Sequence, residues 1–158
     1  MAEVVLRHEA MMRGLGEVVV VDSAGTVADV GFKMDSRAAR ALEARGYAPS
    51  DHRARQFEAE WFFDRELVVA LDRGHLRHLW QLAPAPAQVE RVRLLLSFSD
   101  PSPASRTTLD VPDPYFGGQA DFEHCLDLIE GACDAILAAI LAALPAAPDA
   151  DGVARSPG

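Results

Sequence analysis

Two apolar patterns alternate along the chain. In residues 2–14, AEVVLRHEAMMRG, apolar Val5, Ala10 and Met12 stand among polar Glu3, Arg7 and Glu9, a spacing that predicts a helix stopped by Gly14. The β-branched run Val18 to Val21 follows and reads as a buried strand ending in the small turn residues of DSAGT. Residues 35–45, DSRAARALEAR, return to helical spacing, with Asp35 or Ser36 as cap and Gly46 as stop. ELVVALD at 66–72 is a second buried-strand run. A polar helix from about Arg73 to Leu82 comes after it, closed by Pro84 and Pro86. RVRLLLSF at 91–98 is the third strand. The last helix, Asp121 to Leu144, places Phe122, Leu126, Ile129, Cys133, Ile136, Ile140 and Leu144 on one stripe before Pro145.

The order α-β-α-β-α-β-α, with continuous apolar strands between helices, predicts an α/β domain of three layers, a parallel sheet covered on both faces. One domain over residues 1–144 suits a chain of 158 residues. The polar, Pro-rich stretch 145–158 is expected to be a disordered tail. Such sheets bind ligands outside the carboxyl ends of their strands, here near residues 23–26, Asp72, Ser97 and the long loop 99–120. The beginning is unusual. A doubly wound domain opens with a strand whose turn feeds the first helix and can bind phosphate there. Here helical spacing begins at Met1, so that strand and turn are expected to be absent from the chain.

Composition narrows the partners. With 24 acids against 15 bases the formal charge is −9, which removes a sequence-independent pull toward nucleic acid or anionic membrane. Glu123, Asp127, Glu130 and Asp134 rule out the last helix as a membrane span. No basic-then-apolar signal segment opens the chain, and a cytoplasmic location is expected. Cys125 and Cys133 fall on one helix about 12 Å apart at ~1.5 Å per residue. That is too far for a disulfide or a shared metal, so both read as small apolar residues of a buried face. Asp72, His75 and His78 have a spacing that suggests a metal, yet no further ligand accompanies them and a solvated helix face is the simpler reading.

The stretch DVPDPYFGG, residues 110–118, carries the candidate chemistry. Taken alone, Asp113 reads as a turn cap, because Asp-Pro favours turn initiation, and Tyr115 as a loop residue anchored on the core. Other pieces change that reading. MAEVVLRHEA at the N-terminus, DSAGT at 22–26, VGFKMDSRA at 30–38, DHRARQF at 51–57, LVVALDRGHLRHL at 67–79 and DVPDPYFGG resemble, in order and spacing, the low-molecular-weight protein-tyrosine phosphatases. The resemblance runs from residue 1 to about 143.

It implies a parallel sheet of four strands in the order 2-1-3-4, and a phosphate-binding loop of pattern Cys-x5-Arg-Ser between the first strand and first helix. In that family the loop amides and Arg cradle the phosphate while the Cys thiolate attacks phosphorus. An Asp of the Asp-Pro-Tyr loop protonates the leaving oxygen and then activates water. By resemblance Asp113 is that acid and base, Tyr115 is the aromatic wall beside the substrate ring, and Ser23 and His52 support the phosphate loop from behind. The substrate is a phosphotyrosine protein or a small aryl phosphate, and neither cofactor nor metal is implied.

The chain also departs from the family. Met1-Ala2-Glu3 aligns just after the Cys, Arg and Ser of the loop, and no other Cys can replace the nucleophile: six residues beyond Cys125 is Gly131, and six beyond Cys133 is Ala139. The family's Asp-Pro-Arg reads Asp35-Ser36-Arg37. The segment between Thr26 and Val30 is one residue shorter and lacks the aromatic that forms the opposite wall of the pocket. Truncation at the N-terminus is therefore expected, with an inactive chain as its result. A non-catalytic binding or regulatory role is one alternative. An arsenate reductase on the same fold is another, which Asp-Pro-Tyr disfavours because a general acid for an aryl leaving group has no evident use there.

Overall fold

Helix boundaries follow from the caps. In the computed structural model, which describes residues 1–49, 52–99 and 109–143, helix α1 spans Ala2–Met12 and α2 spans Ser36–Ala44. Gly14 and Gly46 then turn the chain with φ of 71° and 82°, conformations that glycine adopts without a Cβ penalty. Asp35 caps α2 by accepting from the Arg37 amide, and Asp72 caps α3, Arg73–Leu82, by accepting from the His75 amide at 2.7 Å. His75 Nδ1 also lies 3.1 Å from Asp72, so this pair serves the helix start. Pro86 opens a short helix α4, Pro86–Val89, and α5 runs Gln119–Ala143.

Strands β1, Val68–Ala70, and β2, Val92–Leu94, pair in parallel with Val68 opposite Val92 and Ala70 opposite Leu94. Alternation along β1 separates two layers. Val68 and Ala70 join Val92, Leu94, Leu79 of α3 and Phe57 and Phe62 on one face. Leu67, Val69 and Leu71 face the larger core, where α1 and α2 pack on α5 through Val5, Leu42, Leu126, Ile129 and Ile136. The charged face of α5 is tied down along its middle turns: Arg45, just past α2, pairs with Asp127 and Glu130, and Arg13, just past α1, with Asp134.

Two expectations need correction. Val18 to Val21 is not a buried strand: residues 16–18 form a turn, and Val20 is 91% exposed. Only Val19 is buried, against Ala10 and Leu137. A strand needs a ladder partner for its amides and carbonyls, and no described strand lies beside this run. The third strand is also shorter than its apolar run, because Leu95–Ser97 turns into a 3₁₀ segment that swings Leu95 and Leu96 into the α5 core. The described residues thus form a two-stranded parallel sheet, not the four strands that the resemblance implies. The proposed tail 145–158 and residues 100–108 of the long loop lie outside the described residues. No helix among the described residues is long and apolar enough to cross a membrane.

Candidate active site

The DVPDPYFGG loop crosses the carboxyl end of β1. Val111 donates its amide to Leu71 O at 2.8 Å, and Asp110 pairs with Arg73 at the start of α3. Beyond that anchor the chain turns on itself: Tyr115 N donates to Asp113 Oδ1 at 3.0 Å, and Gly117 N donates to Pro114 O at 2.9 Å. Asp113 therefore caps its own turn with one carboxylate oxygen, as Asp-Pro implies. Its side chain is exposed, as are Tyr115 at 58% and Phe116 at 94%. Ring edges of Tyr115 and Phe116 meet at 5.1 Å between centroids.

Ser23 and His52 converge on a residue that the sequence reading passed over. Glu3, in the first turn of α1, accepts from Ser23 Oγ, pairs with Arg7 one turn on, and lies 3.3 Å from His52 Nδ1. Its side chain is only 9% exposed. Burial by itself raises the Glu3 pKa, but the Ser23 hydrogen bond and the charges of Arg7 and His52 outweigh it, and the carboxyl sits below its usual value. Arg7 also donates to Val21 O at 2.7 Å, and Arg55 to Ser23 O at 2.8 Å, which fixes residues 21–23 against α1 without a strand ladder.

Met1 and Ala2, at the beginning of α1, pack on the same core as Val111 of the loop and Cys125. Met1's amino group has a lowered pKa because burial strips it of water, while the nearby Cys125 and Glu3 act in the opposite direction. Burial likewise raises the Cys125 thiol, which feels both that ammonium and Asp113. Cys133, further along α5, is pushed up to about 12 by burial and donates to Ile129 O. Both cysteines are buried thiols, the reverse of the exposed, electropositive setting that makes a nucleophile. Among the described residues no cluster of three or more His, Cys, Asp or Glu could hold a metal ion.

The sequence matches the family model of low molecular weight phosphotyrosine protein phosphatases over residues 1–145. The chain belongs to this family. It is 48% identical over 141 residues to a low molecular weight protein-tyrosine-phosphatase of Streptomyces coelicolor, covering 89% of this chain and 84% of that protein. It is 47% identical over 133 residues to low molecular weight protein-tyrosine phosphatase A of Mycobacterium tuberculosis, covering 84% and 77%. The crystal structure of a protein tyrosine phosphatase from Entamoeba histolytica, with Hepes in the active site, superposes with a TM-score of 0.81 at 27% identity over 89% of this chain and 87% of that one. For this family member, Asp113 and Tyr115 lie on one loop, and Ser23 and His52 share one carboxylate across the N-terminus of α1.

Proposed function

We propose that the protein hydrolyses phosphotyrosine, and that Asp113 is its general acid and base. The observation that carries this reading is the Glu3-Ser23-His52 group at the first turn of α1, a helix whose Met1 and Ala2 pack on the same core as Val111 of the Asp113 loop. A helix start presents amide N-H groups and a positive dipole end, the environment a phosphate dianion requires. Asp113 Oδ1 is held by the Tyr115 amide, which orients the carboxyl for proton transfer to a leaving phenolate. The exposed Tyr115 ring, two residues on, is available to flank a substrate ring, and Glu3 holds Ser23 and His52 at the first turn of α1.

The nucleophile and phosphate-binding Arg belong to a Cys-x5-Arg loop that residues 1–158 do not contain. Catalysis therefore requires a strand and loop from sequence outside these residues, the strand lying between Val21 and the second edge of β1. That addition, with residues 18–21 drawn straight beside it, gives the four-stranded order of the family. Residues 1–158 by themselves, with two buried thiols, do not turn over aryl phosphates. The missing loop also favours a second reading, a non-catalytic chain that retains a phosphoryl-binding helix start. A p-nitrophenyl phosphate assay separates them. The first reading expects no turnover from residues 1–158 and turnover once an in-frame Cys-x5-Arg loop precedes Met1; no gain on adding that loop rejects it.

A further inference from the structure

Arg37, at the second position of α2, spends its guanidinium on the DVPDPYFGG loop. Nη2 donates to Tyr115 O and Nη1 to Gly117 O, both at 2.9 Å. The same group is gripped from behind by Asp35, which accepts from Nε at 3.1 Å and Nη2 at 2.8 Å. The Arg37 Cζ stands 5.8 Å from the Tyr115 ring centroid and 4.7 Å from that of Phe122, the buried first-turn residue of α5. One planar fork therefore joins the α2 cap, two backbone carbonyls just after Asp113 and the ring of Tyr115. A lysine, with a single rotating ammonium, cannot reproduce that geometry.

We infer that Arg37 is the positioning residue that fixes the Asp113-Tyr115 loop in its working conformation, an inference that rests on the acid role proposed for Asp113. The exposed loop has few apolar contacts of its own: Tyr115 and Phe116 face solvent and Val111 alone among its residues is in the core. Between Val111 and Gly118, whose amide is held by Asp121 of α5, Arg37 grips the loop from outside at Tyr115 and Gly117. Asp35 stays ionised to strongly acid pH, its pKa lowered to about 2 by the hydrogen bonds from the Arg37 side chain and amide.

The test compares Arg37→Lys with the unaltered chain in residues 1–158 by amide hydrogen exchange. Loss of two charged hydrogen bonds to the loop should speed exchange at Tyr115, Gly117 and Gly118 by about 10-fold or more. Amides inside α2, such as Leu42, should keep their rates, since Asp35 still caps that helix. Unchanged loop amides overturn the clamp, and so does general acceleration throughout α2. Asp35→Asn, which retains a capping side chain but weakens the grip on Arg37, should loosen the same three amides. In the form carrying the Cys-x5-Arg loop, Arg37→Lys should lower kcat on poor leaving groups by about 10- to 100-fold with KM little changed, the lower part of a general acid's contribution. A loosened loop with no effect of Asp113→Asn on turnover would reject the acid role and leave the clamp standing. A rigid loop in Arg37→Lys rejects the clamp whatever Asp113→Asn does.

Discussion

The Ser23 hydroxyl donates to Glu3, twenty residues earlier in the chain, and so ties the segment after the Val18–Val21 run to the first turn of α1. His52 reaches the same carboxylate from a third segment. Ser23 and His52 meet through a helix acid, not through each other. This arrangement makes Glu3 a structural residue whose ionisation matters.

Glu3→Gln should therefore destabilise the fold by about 1–3 kcal/mol, because Arg7 and His52 lose a buried anionic partner. The pH dependence follows from the lowered pKa. A carboxyl whose folded pKa lies below its unfolded one contributes fully above the unfolded value, and the contribution disappears as pH falls through the folded value. Denaturant unfolding between neutral pH and pH 3 should show the unaltered chain losing more stability than Glu3→Gln. Parallel pH profiles would show that Glu3 is not the group responsible.

Gly117 is required by a close approach, not by an unusual φ. A Cβ there would come within 2.3 Å of Asp121 Oδ2 and 2.8 Å of Asp121 Cβ. Asp121 accepts from the Gly118 amide at 2.7 Å, which fastens the loop to the start of α5. Gly117→Ala should displace this side chain and cost about 1 kcal/mol, the usual worth of such a cap. Asp121→Ala should cost about the same, and the double variant clearly less than the sum, since the clash disappears with the side chain. Additive losses in thermal unfolding would remove Asp121 from the explanation.

Tyr115→Ala should weaken binding of an aryl phosphonate to the form carrying the Cys-x5-Arg loop by about 0.5 to 1.5 kcal/mol, the range for an aromatic contact beyond burial. Methylphosphonate binding should barely change. Equal losses for both ligands, measured by calorimetry, would make Tyr115 a support of the loop instead of a wall of the pocket.

The helices were readable because their signals are local. Asp35 and Asp72 cap, Gly14 and Gly46 stop, and the α5 stripe buries where its period places it, from Phe122 to Ile136. Val18 to Val21 misled because β-branched residues state only a preference for extended backbone; whether a strand forms depends on a neighbour elsewhere in the chain. Glu3 was passed over because an acid in a first helical turn looks like any dipole-compensating surface residue. Its partners Ser23 and His52 lie in distant segments, which no spacing reveals. Arg37 was visible only as a motif position, since its partners Tyr115 and Gly117 lie in a distant segment.

The most direct measurement concerns Asp113. In the form carrying the Cys-x5-Arg loop, kcat/KM for a series of aryl phosphates is plotted against leaving-group pKa for the unaltered enzyme and for Asp113→Asn. A proton donor flattens that dependence, so the variant should fall about 10²-fold or more on phenols of high pKa and much less on strongly acidic phenols, giving a steeper line. Two parallel lines, with the same loss on every leaving group, would contradict the assignment of Asp113 as the acid.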